Sequence, residues 1–70
     1  MTNKVKGYRN MLNLSQKEMA KLLDISTLSY HNKEKGKYEF KDAEKIKFKR
    51  MLEPHFPNIT LEDIFLSDRK

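Results

Sequence analysis

The chain is expected to be all-α, on three observations. Helix formers dominate its seventy residues, and β-branched residues form few runs. Two helix-start signals, Ser15 and Ser26, stand eleven residues apart with an apolar-periodic segment between them. Gly36 and Pro54 fall where helices should stop, not inside them.

Each element follows from local signals. Asn3 can cap a first helix that runs to about residue 12, with Val5, Tyr8, Met11 and Leu12 as one apolar stripe. Gly7 within it costs about 1 kcal/mol against alanine, so either another helix approaches closely or it is a plain surface glycine. Asn13 closes the helix. Leu14 precedes the cap Ser15 and can staple onto Met19, while Glu18 completes a capping box. The second helix covers residues 16–23, with Met19, Ala20, Leu22 and Leu23 as its apolar face. Asp24 breaks that run, Ile25 plugs the turn, and Ser26 caps a third helix over residues 27–35. Gly36 supplies the left-handed position after it. Residues 16–35 therefore read as a helix-turn-helix, whose second helix can lie in a DNA major groove.

A loop over residues 37–40 leads to a fourth helix over residues 42–53, whose early acids suit the helix dipole. Pro54 disfavours helical geometry at Glu53. Ala43 and Ile46 mark one face of this helix, and Phe48, Met51 and Leu52 another. Ile46 and Phe48 lie about 200° apart around the axis. Either the last helix closes a broad buried face, or an apolar patch stays exposed for dimerisation or a partner. Thr60 caps a short last helix over residues 61–66 with Asp63 in the box position, and residues 67–70 read as a frayed tail.

Composition bounds the function. Residues 1–70 are long enough for one domain with a modest core. With no cysteine, neither disulfides nor thiolate metal sites are available. No apolar run approaches the roughly 18 residues of a membrane span, and no signal-peptide core opens the chain, so a cytoplasmic protein with no membrane contact is expected. The net charge is +5. Residues 1–35 hold seven basic and three acidic side chains, against eight and seven in residues 36–70. The excess lies with the helix-turn-helix and favours a polyanionic partner there. Two histidines, no cysteine and no phosphate-cradling glycine motif argue against an enzyme or a cofactor. His31 and Glu34, three apart on one helix, do not make a metal site.

In register, Leu14-Ser15-Gln16, Met19-Ala20, Leu23, Ile25-Ser26, Tyr30 and Glu34-x-Gly36-Lys37, with the tail Ile59-Thr60-Leu61-Glu62-Asp63-Ile64-Phe65, resemble the Cro and phage-repressor (lambda-repressor-like) type of helix-turn-helix regulator over residues 4–66. The resemblance implies a compact five-helix DNA-binding domain with the second and third helices as the reading unit. Ala20 supplies the small side chain that a tight helix crossing needs, with Tyr30 and Ile25 facing Leu23 and Met19. The resemblance also implies a partly buried pair between Arg9 and Glu34, tying the first helix to the end of the third. Two positions depart from the pattern. Asp24 stands where glycine is usual, and aspartate tolerates left-handed geometry better than most residues. Lys33 stands where an apolar side chain is usual, so its stem would pack while the ammonium reaches out to water.

Site residues follow from the same resemblance. Gln16 would anchor the DNA backbone. Thr27, Leu28 and Ser29 lead the third helix, with His31 and Asn32 one turn on, and these would meet base edges. Asparagine can grip adenine with two hydrogen bonds, and leucine methyls can sit against a thymine methyl. The alternatives are local capping for Thr27 and Ser29, packing for Leu28 and a solvated ring for His31. Lys17, Lys35, Lys37 and Tyr38 would hold phosphates, which position a protein without reading sequence. Lys45, Lys47, Lys49 and Arg50 read mainly as a solvated face. The expected function is sequence-specific transcription regulation, as a phage or bacterial switch repressor dimerising on a double-stranded operator. The alternative is an antirepressor or modulator that binds a partner repressor protein.

Overall fold

Helices here begin where the chain offers a side-chain acceptor to their free N–H groups. The computed structural model describes residues 4–65, which form α1 (Lys4–Met11), α2 (Gln16–Leu22), α3 (Thr27–Glu34), α4 (Asp42–Leu52) and α5 (Leu61–Phe65), with no strand among them. Asn3, Leu66 and the tail at 67–70 lie outside the described residues. Ser15 Oγ accepts from the Glu18 N–H at 3.0 Å while Glu18 Oε1 accepts from the Ser15 N–H at 2.8 Å. Ser26 Oγ accepts from the Ser29 N–H at 3.0 Å. Thr60 and Asp63 make the same reciprocal pair at 3.1 and 2.9 Å. Ahead of α4 the cap is Lys41, whose side chain has no acceptor, so Glu44 Oε1 takes the Lys41 N–H at 2.9 Å instead.

Left-handed residues end the first three helices: Asn13 at φ 61°, Asp24 at φ 63° and Gly36 at φ 92°. The end of α4 corrects the sequence reading. Glu53 keeps helical angles (φ −57°, ψ −38°) despite the following proline. Its N–H donates to the Lys49 carbonyl at 3.0 Å, and the His55 and Phe56 N–H groups both return to the Leu52 carbonyl. These three bonds outweigh the modest steric preference that Pro54 imposes.

In the packing, α2 and α3 form the tightest pair, and α5 lies against both α1 and α4. The core gathers Met19, Ala20 and Leu23 from α2, Tyr30 from α3, Phe40 from the loop, Phe48 and Leu52 from α4, and Ile59 and Ile64 at the C-terminal end. Ala20 is fully buried, and its carbonyl accepts from the Ile25 N–H at 3.0 Å, drawing the turn onto α2. A run of aromatic contacts crosses the domain, from Tyr30 to Phe40 (5.9 Å), Phe40 to Phe65 (5.3 Å) and Phe65 to Phe48 (5.6 Å). This run settles the orientation of α4. Phe48 faces inward at 0% exposure under α5, and Ile46 faces outward at 44%.

Gly7 is the plain surface glycine of the two possibilities. A Cβ placed there meets nothing within 4 Å, so no helix approaches it closely. Gly7→Ala is therefore expected to stabilise the domain by about 0.5–1 kcal/mol. Thermal unfolding followed by circular dichroism checks this, and a lowered Tm would contradict the open surface.

Candidate nucleic-acid interface

The two faces of α3 have opposite character. Tyr30 and Glu34, one turn apart, point into the protein and are buried. Thr27, Leu28 and His31 face outward, with Leu28 at 69% exposure, so its methyls are not packed onto neighbours. Ser29 and Asn32 are half-buried. A helix presents such contrasting faces when its buried residues recur at the 3.6-residue period.

A polar network holds the inner face. Glu34 Oε2 accepts from Arg9 Nε at 2.7 Å and from the Tyr30 hydroxyl at 2.6 Å. Glu34 Oε1 accepts from Gln16 Nε2 at 2.8 Å and from a second Arg9 nitrogen at 3.3 Å. Arg9 Nη1 donates to the Leu14 carbonyl at 2.7 Å, so one guanidinium joins α1, the segment before α2, and α3. Burial pushes the Glu34 carboxyl up, but the bonds from Arg9, Tyr30 and Gln16 outweigh it and hold the group below the usual carboxylate range. Burial, and then the bond to Glu34, pushes the Tyr30 phenol up.

Lys33 corrects the sequence reading. Its ammonium does not reach out to water. Nζ donates to both carboxylate oxygens of Glu44, at 2.8 and 2.9 Å, with side-chain exposures of 11% and 8%. Glu44 already lies inward to take the Lys41 N–H, so an acceptor waits where the lysine stem ends. Sequence reasoning missed Glu44, whose only local signal was its place three residues after Lys41.

Gln16, expected to serve the DNA backbone, is half-buried, and both ends of its carboxamide bind within the protein. Its oxygen lies 3.2 Å from His31 Nδ1, and its nitrogen is the one on Glu34. Ala20 and Ile25 sit behind the turn, fully and half buried respectively. Lys17, Lys35, Lys37 and Tyr38 are all exposed, and Lys37 Nζ lies 5.7 Å over the Tyr38 ring. The basic run of α4 is solvated only in part. Lys47 and Arg50 are exposed, but Lys49 pairs with Glu53 and Lys45 lies 5.8 Å over the Phe65 ring.

The outward face of α3 thus carries hydrogen-bonding and apolar groups, with the exposed Lys35 and Lys37 following its C-terminal end. Among the described residues no helix is long and apolar enough to cross a membrane. The chain is 39% identical over 66 residues to an uncharacterized HTH-type (helix-turn-helix) transcriptional regulator of Methanocaldococcus jannaschii, across 94% of this chain and 92% of that protein. No family model matches the chain, and no solved structure matches it.

Proposed function

The chain belongs to the HTH-type transcriptional regulators, and from that premise we propose that it acts as a single domain, residues 1–70, that binds double-stranded operator DNA in a Cro- or phage-repressor-like way. The observation that carries this reading is α3, buried through Tyr30 and Glu34 and presenting Thr27, Leu28 and His31 to the outside. Such a helix can enter a major groove, with Ser29 and Asn32 at its sides. Lys17, Lys35, Lys37 and Tyr38 would hold phosphates on either flank, while Gln16 stays bound to Glu34 and His31. The regulator works in the cytoplasm without catalysis. It dimerises, so that two copies meet half-sites about one helical turn apart.

A duplex selected from random DNA gives the test. Asn32→Ala is expected to lower discrimination between the selected and scrambled duplex by about 1–3 kcal/mol. Lys37→Ala is expected to weaken both alike and to reduce the salt slope by about one. Unchanged discrimination removes Asn32 from the reading set, and an unaltered slope removes Lys37 from the phosphate contacts.

Leu28, an apolar side chain 69% exposed at the tip of the helix, also favours a second reading, a modulator that grips another repressor. Failure to select any duplex, together with tight capture of a co-encoded repressor, would establish that reading in place of the first.

A further inference from the structure

The Gln16 carboxamide decides which nitrogen of His31 faces outward. An ionised carboxylate only accepts hydrogen bonds. Gln16 must therefore turn its amide nitrogen toward Glu34 Oε1, at 2.8 Å. That leaves Gln16 Oε1 toward His31 Nδ1, at 3.2 Å. A carboxamide oxygen cannot donate, so His31 Nδ1 carries the hydrogen. The neutral imidazole has one ring proton, and its Nε2 is then a bare acceptor. A second proton can enter only at Nε2. His31 is exposed and lies three residues from Leu28, on the outward side of α3. The charged groups flanking it are Glu34, which lies behind Gln16 and is paired with Arg9, Lys35 four residues on in α3, and Lys17 beside Gln16 in α2.

We infer that His31 is a proton-dependent DNA contact: its Nε2 donates to an acceptor of the duplex, a phosphate oxygen or a guanine edge, only when the ring is an imidazolium, and Glu34 acting through Gln16 fixes the ring for that contact. The inference rests on the DNA-binding reading above. A neutral ring would set its lone pair against the acceptor. The negative potential of the duplex favours the charged ring. Binding then takes up a proton and tightens as pH falls.

Two measurements test this. In the free protein at about pH 8, proton–nitrogen correlation of the imidazoles is expected to show His31 protonated at Nδ1, with His55 as the internal comparison, and Gln16→Ala is expected to shift it toward the Nε2-protonated form. An Nε2-protonated wild-type ring overturns the inference without reference to DNA. Second, binding to a duplex selected from random DNA is followed by fluorescence anisotropy at constant ionic strength. Wild type is expected to weaken about tenfold from pH 6 to pH 8, and His31→Gln less than about twofold. A flat wild-type curve on a duplex that does bind, or an undiminished pH dependence in His31→Gln, overturns the inference and leaves the DNA reading standing. Absence of binding to any duplex at either pH defeats the DNA reading itself, and the inference with it. A loss in His31→Gln at pH 6 that is equal on all sequences marks a phosphate oxygen as the acceptor. A loss confined to guanine-bearing sites marks the base edge, and both support the contact.

Discussion

Arg9→Ala is expected to cost about 3–5 kcal/mol, enough to leave a domain of this size largely unfolded at room temperature. The cause is less the lost attraction than what stays behind. Glu34 would remain buried, at 7% exposure, with its charge and without the guanidinium that now meets both of its oxygens. The Leu14 carbonyl would lose its donor as well. Urea unfolding measures the loss, and a cost below about 1 kcal/mol would contradict the account. A neutral double variant, Arg9→Met with Glu34→Gln, keeps an acceptor for the Tyr30 hydroxyl and offers an amide donor to the Gln16 carboxamide once that turns its oxygen inward, and is expected to be more stable than Arg9→Ala by at least about 1 kcal/mol.

The pH dependence of this site has a definite sign. Glu34 is held below the usual carboxylate range in the folded protein, because its hydrogen bonds outweigh burial. Glu44 is held down in the same way, burial being outweighed by the bonds from Lys33 and the Lys41 N–H. A carboxyl depressed by folding stabilises fully above its unfolded value, about 4.3 for glutamate, and that contribution is lost as pH falls through the folded value. Wild type is therefore expected to weaken in acid below about pH 4.3. In Arg9→Ala, Glu34 without its guanidinium escapes its penalty by taking up a proton, so the gap between variant and wild type should narrow as pH falls. A gap that widens would reverse the sign and sink the explanation.

Phe48→Ala is expected to cost about 3–5 kcal/mol, while Ile46→Ala, two residues earlier in the same helix, changes stability by less than about 1 kcal/mol. Phe48 is fully buried and meets Phe65 at 5.6 Å, so its truncation opens a cavity between α4 and α5. Ile46 is 44% exposed and leaves no cavity. Urea midpoints of the two variants, measured side by side, check the contrast. Equal losses would mean that α4 is rotated from the orientation described.

What could be read from the sequence was what is local. The caps at Ser15 with Glu18 and at Thr60 with Asp63 close within three residues, so their bonds are written in adjacent letters. The left-handed turns at Asn13, Asp24 and Gly36 follow from residue type in the same way. The outward placement of Thr27, Leu28 and His31 follows from the period that buries Tyr30 and Glu34. Periodicity alone could not choose between Ile46 and Phe48, because Phe65 from another helix makes that choice. Lys33 was misread because Glu44 lies eleven residues away, across a loop, and nothing within α3 announces it. Gln16 looked like an outward anchor because its inward bonds depend on Glu34 and His31 arriving from α3. Pro54 set a preference that three backbone bonds overrode.

The helix α3 is fastened to its neighbours by two ion pairs, the buried Arg9–Glu34 and the part-buried Lys33–Glu44, and by one large anchor, Tyr30. Water's hold on charged groups loosens as temperature rises, so withdrawing such pairs from solvent becomes less unfavourable in the heat. Apolar contacts gain no comparable advantage. On warming, α3 should accordingly keep its seat longer than the Phe48–Phe65 contact between α4 and α5, where melting should begin.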